Sequence, residues 1–152
     1  MRSFEFSISA DHYQFLLLDE RSGEDYSHFW SEDAVAKLIA IGNDAVGVMT
    51  AGNSVVPLWV GVYENRPAID DDRDWDQIVE CTLNIPSGTL VIMGATDYFP
   101  DALRIKLEPS SYRIRIYYGG ITTGAENGDF YRIEIWKATD DTGVLFLKTR
   151  GA

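Results

Sequence analysis

The chain predicts a mainly β fold: an antiparallel β-sandwich with one short α-helix near residues 32–41. Three observations carry that prediction. Short stretches alternate apolar and polar residues with a period of two, most clearly Tyr112-Arg113-Ile114-Arg115-Ile116-Tyr117-Tyr118 and Phe130-Tyr131-Arg132-Ile133-Glu134-Ile135-Trp136. Successive strand side chains point to opposite faces, so this pattern buries one face of a sheet and wets the other. Turn signals recur between the stretches, as sandwiches and barrels require. Only one segment has helical spacing.

The strands follow in order. Phe4 to Ala10 places Phe4, Phe6, Ile8 and Ala10 on one side. Tyr13 to Leu18 ends in leucines, which predicts burial on both faces. Ala45 to Thr50 and Val55 to Glu64 flank the turn-prone Ala51-Gly52-Asn53-Ser54. Pro57 lacks a ladder donor and belongs at a strand start, an edge or a bulge. If it marks an edge, that edge decides the oligomeric state. Gln77 to Ile85 and Thr89 to Ala95 flank Pro86-Ser87-Gly88, a compact hairpin signal. Leu103 to Leu107, Tyr112 to Tyr118, Phe130 to Ala138 and Val144 to Lys148 complete the set, the last two joined by the turn residues 139–143.

The helix is expected over Ser31 to Gly42. Ser31 caps the free N–H groups, and Glu32 and Asp33 suit the positive end of the dipole. Val35, Leu38, Ile39 and Gly42 share helical spacing, and Gly42-Asn43 can stop the helix. Three long loops remain, 19–30, 65–76 and 119–129, and long loops carry function more often than tight turns do. No repeat, linker or low-complexity tract interrupts the chain. A single domain over residues 1–152 is therefore expected.

Charge narrows the partners. Asp plus Glu number 24 against 13 Lys plus Arg, a net charge of −11. Nucleic-acid binding rests on Lys and Arg neutralising phosphates, and anionic membranes repel such a chain. Neither is an expected partner; encounter with a basic protein would be accelerated. No apolar run approaches the ~20 residues that span a bilayer, and the N-terminus alternates rather than forming a leader. The cytoplasm is the expected location. Cys81, the single cysteine, shares a face with Val79 and Leu83, so a buried and inert thiol is expected.

No catalytic kit emerges. His12 and His28 are the only histidines and stand in no zinc-ligand spacing. No nucleophile elbow occurs, and the glycines between Gly119 and Gly128 precede a strand, unlike a phosphate loop. The chain is expected not to be an enzyme and to use no cofactor. Arg113 and Arg115, with Arg132 and Glu134 on the next candidate strand, are expected on an outward face, where Arg115 and Glu134 would pair across strands for a few tenths of a kcal/mol, ~0.2–1. An anion-binding surface is the competing reading.

The strongest local feature is Asp70-Asp71-Asp72-Arg73-Asp74-Trp75-Asp76. Its Asp spacing imitates the start of a calcium loop, but Trp75 replaces the required glycine and Cys81 stands where a bidentate Glu belongs. A solvated loop, or a patch for a basic partner with Trp75 as its aromatic anchor, fits the composition, and a Trp75 that covers the core is the competing reading. Asp97-Tyr98-Phe99-Pro100-Asp101 is a second acidic–aromatic loop, read either as a contact for a protein partner or as a plug of the core. The candidate partner-binding residues are Asp70, Asp71, Asp72, Asp74, Trp75, Asp76, Asp97 and Tyr98, with no metal ligands among them.

A run of motifs resembles the competence protein ComJ family. Ser7-Ile8-Ser9 is followed by His12-Tyr13-Gln14-Phe15, then Trp30-Ser31-Glu32-Asp33-Ala34 opens the helix, then Asp44-Ala45-Val46-Gly47-Val48. A strand from Leu58, the Pro86-Ser87-Gly88 hairpin and Tyr112-Arg113-Ile114-Arg115 continue the layout. The acidic loop at Asp70 to Asp76 and the 119–129 loop depart from it. The resemblance implies a small acidic protein that docks stoichiometrically on a basic partner, a DNA-entry nuclease, and inhibits it. The alternative is a small-ligand or calcium-binding sandwich module without catalysis.

Overall fold

The structure is a computed structural model and describes residues 1–24, 29–71, 74–122, 128–140 and 142–150. Eleven strands and one α-helix order the chain: β1 (Arg2–Ser9), β2 (Gln14–Asp19), α1 (Glu32–Lys37), β3 (Ile39–Ile41), β4 (Ala45–Met49), β5 (Val55–Val62), β6 (Gln77–Ile85), β7 (Thr89–Gly94), β8 (Leu103–Lys106), β9 (Ser110–Gly119), β10 (Phe130–Lys137) and β11 (Leu145–Lys148). They form a six-stranded sheet, β1-β5-β10-β9-β6-β11, and a five-stranded sheet, β3-β4-β2-β7-β8. Every pair is antiparallel except β5 with β10.

The inner faces of the two sheets share one core. Ile8, Val56, Val60, Val79, Ile114 and Ile133 from the larger sheet meet Phe15, Leu17, Val46, Val48, Leu90 and Ile92 from the smaller. Alternation is the cause, because each strand sends every second side chain into the gap. The leucine run of β2 is buried on both faces, as its sequence predicts. Leu16 and Leu18 lie on the far face with Ala45, Val91 and Met93, and Phe29 packs over them. β2 is the central strand of its sheet, so neither face is left to solvent.

The helix is shorter than its spacing predicts. Ser31 Oγ accepts a hydrogen bond from the Ala34 N–H at 3.1 Å, as a cap should. The helix then ends at Lys37, where Leu38 adopts a left-handed conformation (φ 62°). Ile39 to Ile41 form β3 and pair with β4. A six-residue helix gains little against its nucleation cost, whereas strand geometry buries Ile39 in the core and satisfies its backbone. The helix docks through its C-terminal carbonyls. Gln77 Nε2 donates to Lys37 O at 2.9 Å, and Tyr118 Oη donates to Leu38 O at 2.7 Å. It thus closes the end of the sandwich at β6 and β9.

Pairing settles which of the sequence readings hold at Pro57 and at two turns. Pro57 does not mark an edge, since β5 lies between β1 and β10. It sits near the strand start, one residue before Leu58, where pairing with β10 begins. Residues 139–143 do not close a hairpin, because β11 pairs with β6 on the far side of β9. The Pro86–Gly88 turn does join neighbours in sequence, but β6 and β7 belong to different sheets, and Gly88 takes the positive φ (76°) that the corner demands.

Cys81 is fully buried between Val79 and Leu83 in the core. Burial pushes its thiol up to about 12, with Arg113 opposing and Glu80 reinforcing the shift. A raised acid pKa favours the neutral thiol in the fold. The contribution is intact below the ordinary value of 9.0, and it is lost as pH climbs from there toward 12, because the unfolded chain ionises first. The native chain should therefore stay unlabelled by a thiol reagent at pH 8 and label fully once unfolded in urea. Rapid labelling of the native chain would contradict this burial.

Candidate partner-binding face

The segment that carries Asp70, Asp71, Asp74, Trp75 and Asp76 adjoins the outer face of the six-stranded sheet, and Asp97 and Tyr98 follow β7 of the other sheet. Arg113, Arg115 and Tyr117 of β9, Glu80 of β6 and Glu134 of β10 point away from the core, as their alternation requires. They do not point into solvent. Arg113 is 4% exposed, Arg115 0%, Glu80 0% and Glu134 1%, which corrects the expectation of solvent-facing arginine stripes. The segment between β5 and β6 lies across this face and roofs it.

The roof is held by charge. Arg115 Nε donates to Glu80 Oε2 at 2.8 Å, and Arg115 Nη1 donates to Glu134 Oε1 at 2.8 Å. The expected Arg115–Glu134 cross-strand pair therefore exists, and register places the two residues directly opposite. Arg115 Nη1 also reaches the Pro67 carbonyl of the roof at 3.0 Å. Arg66, from the same segment, makes two parallel hydrogen bonds to Glu80 at 3.0 and 2.9 Å. Tyr117 Oη donates to Glu134 at 2.6 Å and accepts from the Asp70 N–H at 3.0 Å. Burial first, then the hydrogen bond to Glu134, pushes the Tyr117 phenol up to about 12.

The acidic segment is consequently divided in its roles. Asp70 lies 3.6 Å from Arg132, whose guanidinium sits 3.8 Å over the Trp59 ring. Trp75 is buried at 4% exposure against Tyr117 and Phe130, with ring centroids 4.9 and 5.5 Å away. It covers the sheet, and little of its surface is left to anchor a partner. Asp76 accepts from the Ile121 N–H at 2.8 Å and from Thr122 Oγ1 at 3.1 Å, tying the next loop down. Asp71 and Asp74 are exposed, Asp74 within 3.3 Å of Lys148. Asp72 lies outside the described residues. Sequence reasoning missed Glu80, Arg66 and Tyr117 as the fastening, although an Arg–Glu pair in register on neighbouring strands was a usable signal.

The second acidic loop stands apart from the first, across β1. Asp97 accepts from the Gly94 N–H at 2.8 Å, and Tyr98 is 71% exposed. Ser7 of β1 lines both neighbouring depressions. One, of about 530 Å³, runs past Glu5, Trp59, Asp70 and Arg132. The other, of about 370 Å³, runs past Asp97, Tyr98 and Asp101. Both are open grooves, suited to an extended or flat partner rather than an enclosed substrate.

Among the described residues no group of three or more His, Cys, Asp or Glu could hold a metal ion. His12 is exposed in a left-handed conformation, with its N–H on Asn53 Oδ1, and His28 lies outside the described residues. No helix among the described residues is long and apolar enough to cross a membrane.

This architecture defines a two-sheet sandwich of the ComJ kind. The crystal structure of ComJ, inhibitor of the DNA degrading activity of NucA, from Bacillus subtilis, superposes with a TM-score of 0.67 at 15% identity, over 91% of this chain and 96% of that one. The product of crocagin biosynthetic gene J superposes with a TM-score of 0.58 at 14% identity, over 89% and 95% of the two chains. No family model matches the sequence, and no curated protein matches it. At these identities the likeness establishes the fold.

Proposed function

We propose that this chain is a non-catalytic inhibitor that docks, one to one, on a basic DNA-degrading nuclease in the cytoplasm. The observation that carries the reading is the near full-length match of its fold to a nuclease inhibitor. The net charge of −11 supports it, because a nuclease that grips phosphates presents the complementary sign. Asp71, Asp74 and Tyr98 are the proposed contact residues, with Asp72 joining them by its place in the sequence. Asp70, Trp75, Asp76 and Asp97 hold the two loops in position.

The test is a DNA-degradation assay with the purified nuclease of the same cell, titrated with this chain. Activity should fall linearly to a one-to-one end point at low salt. The apparent affinity should fall by at least about tenfold as salt rises from about 50 to about 500 mM, since exposed charges are screened beyond a few ångströms. Undiminished degradation, together with a rise in melting temperature on adding Ca²⁺, would favour the ligand-binding alternative instead.

A further inference from the structure

Sheet edges invite pairing, and proteins protect them by shortness, bulges or inward charges. The two sheets here have four edge strands: β1, β11, β3 and β8. Three are protected. β3 has three residues, β8 has four, and β11 has four with a register shift between Phe146 and Lys148. β1 is different. It has eight residues, pairs with β5 in unbroken register from Arg2 to Ser9, and carries no proline. Its far end is occupied, because the Ser9 carbonyl packs against Gly94, whose missing Cβ leaves room for it. Its near end is tied by Arg2, which donates to the Lys106 carbonyl at 2.8 Å. Between these ties, Ser3 to Ser7 have no strand on their outer side among the described residues.

Around that open stretch carboxylates predominate over the cations Arg2, at its near end, and Arg132, on one side. Glu5 is exposed on the strand itself, and Asp97 and Asp101 line the groove beside Ser7 with no cation among its walls. Asp70 is on the other side, balanced by Arg132. Two copies of β1 pairing with each other would bring these carboxylates together, which argues against a self-paired dimer. An extended segment bearing Lys or Arg would be matched to both the free backbone and the charge.

We infer that β1 is a strand-addition site, which takes an extended cationic segment of a protein partner as a seventh strand of the larger sheet. Backbone hydrogen bonds to Ser3–Ser7 supply the grip, and Glu5 and Asp101 select the sign of the side chains. The inference deepens the docking reading by naming the part of the partner that binds here.

The probe is a synthetic eight-residue peptide alternating Thr and Lys, added to the isotopically labelled full chain. Amide exchange within Ser3–Ser7 should slow at least tenfold at saturation. Glu5→Gln and Asp101→Asn should each weaken binding several-fold without shifting the melting temperature, and a Thr/Glu peptide should not bind. Unchanged exchange at β1, equal binding of the Thr/Glu peptide, or concentration-dependent self-association through β1 would overturn the site. Nuclease inhibition that persists while β1 stays unprotected would remove this inference and leave the docking reading. Peptide binding at β1 without nuclease inhibition would do the reverse.

Discussion

Glu80→Gln should lower the stability of the chain by about 3–5 kcal/mol, the largest effect expected from a change of so few atoms. Glu80 is wholly buried and accepts from Arg66 and Arg115, with Arg113 Nε 3.6 Å away. Removing its charge leaves buried guanidiniums facing an amide that cannot neutralise them. Arg113 is already short of partners: its Nη1 donates to Thr82 Oγ1, and its Nη2 is buried without a hydrogen bond. Arg66→Met is the contrasting variant. The Arg66 side chain is half exposed, so its loss should cost only about 1 kcal/mol. Urea unfolding with an unchanged slope measures both. A Glu80→Gln loss below about 1 kcal/mol would mean that the network does not fasten the roof.

Trp75→Ala should cost about 3–5 kcal/mol, because it empties a packed site between Tyr117 and Phe130 and lifts the acidic segment from the sheet. The neighbouring Asp71→Asn and Asp74→Asn should change stability by no more than about 0.5 kcal/mol, since both carboxylates are exposed. The contrast separates support from contact within one short segment. If Trp75→Ala left the melting curve unmoved, the ring would not be a structural cover, and the anchor reading would return.

Alternation made the strands legible. All ten strand candidates form, and the two-faced burial of β2 follows from Leu16-Leu17-Leu18. What remained hidden depended on partners distant in sequence. β3 was hidden because Leu38-Ile39-Ala40-Ile41 satisfies a helical pattern locally, and only pairing with β4 decides otherwise. The burial of Arg113 and Arg115 was hidden because alternation reports which face a residue occupies, not what covers that face. The cover is the segment between β5 and β6: Arg66 and the Pro67 and Ala68 carbonyls reach Glu80 and Arg115, and the acidic run that follows, which composition alone casts as a solvated loop, lies over Tyr117. Asp70 and Asp76 accordingly turn to Arg132 and to the Ile121 N–H and Thr122 hydroxyl, and Asp71 and Asp74 alone of the described carboxylates in that run are exposed.

The proposed inhibitory role rests on anionic side chains that the sandwich offers for docking. Its most direct measurement is the inhibition titration repeated with the Asp71→Asn/Asp74→Asn double variant. The expected result is an unchanged melting temperature, a retained one-to-one end point at high concentration, and an affinity for the nuclease lower by about tenfold or more at low salt, with the difference closing as salt rises. Equal inhibition by the double variant and the parent at every salt concentration would contradict it.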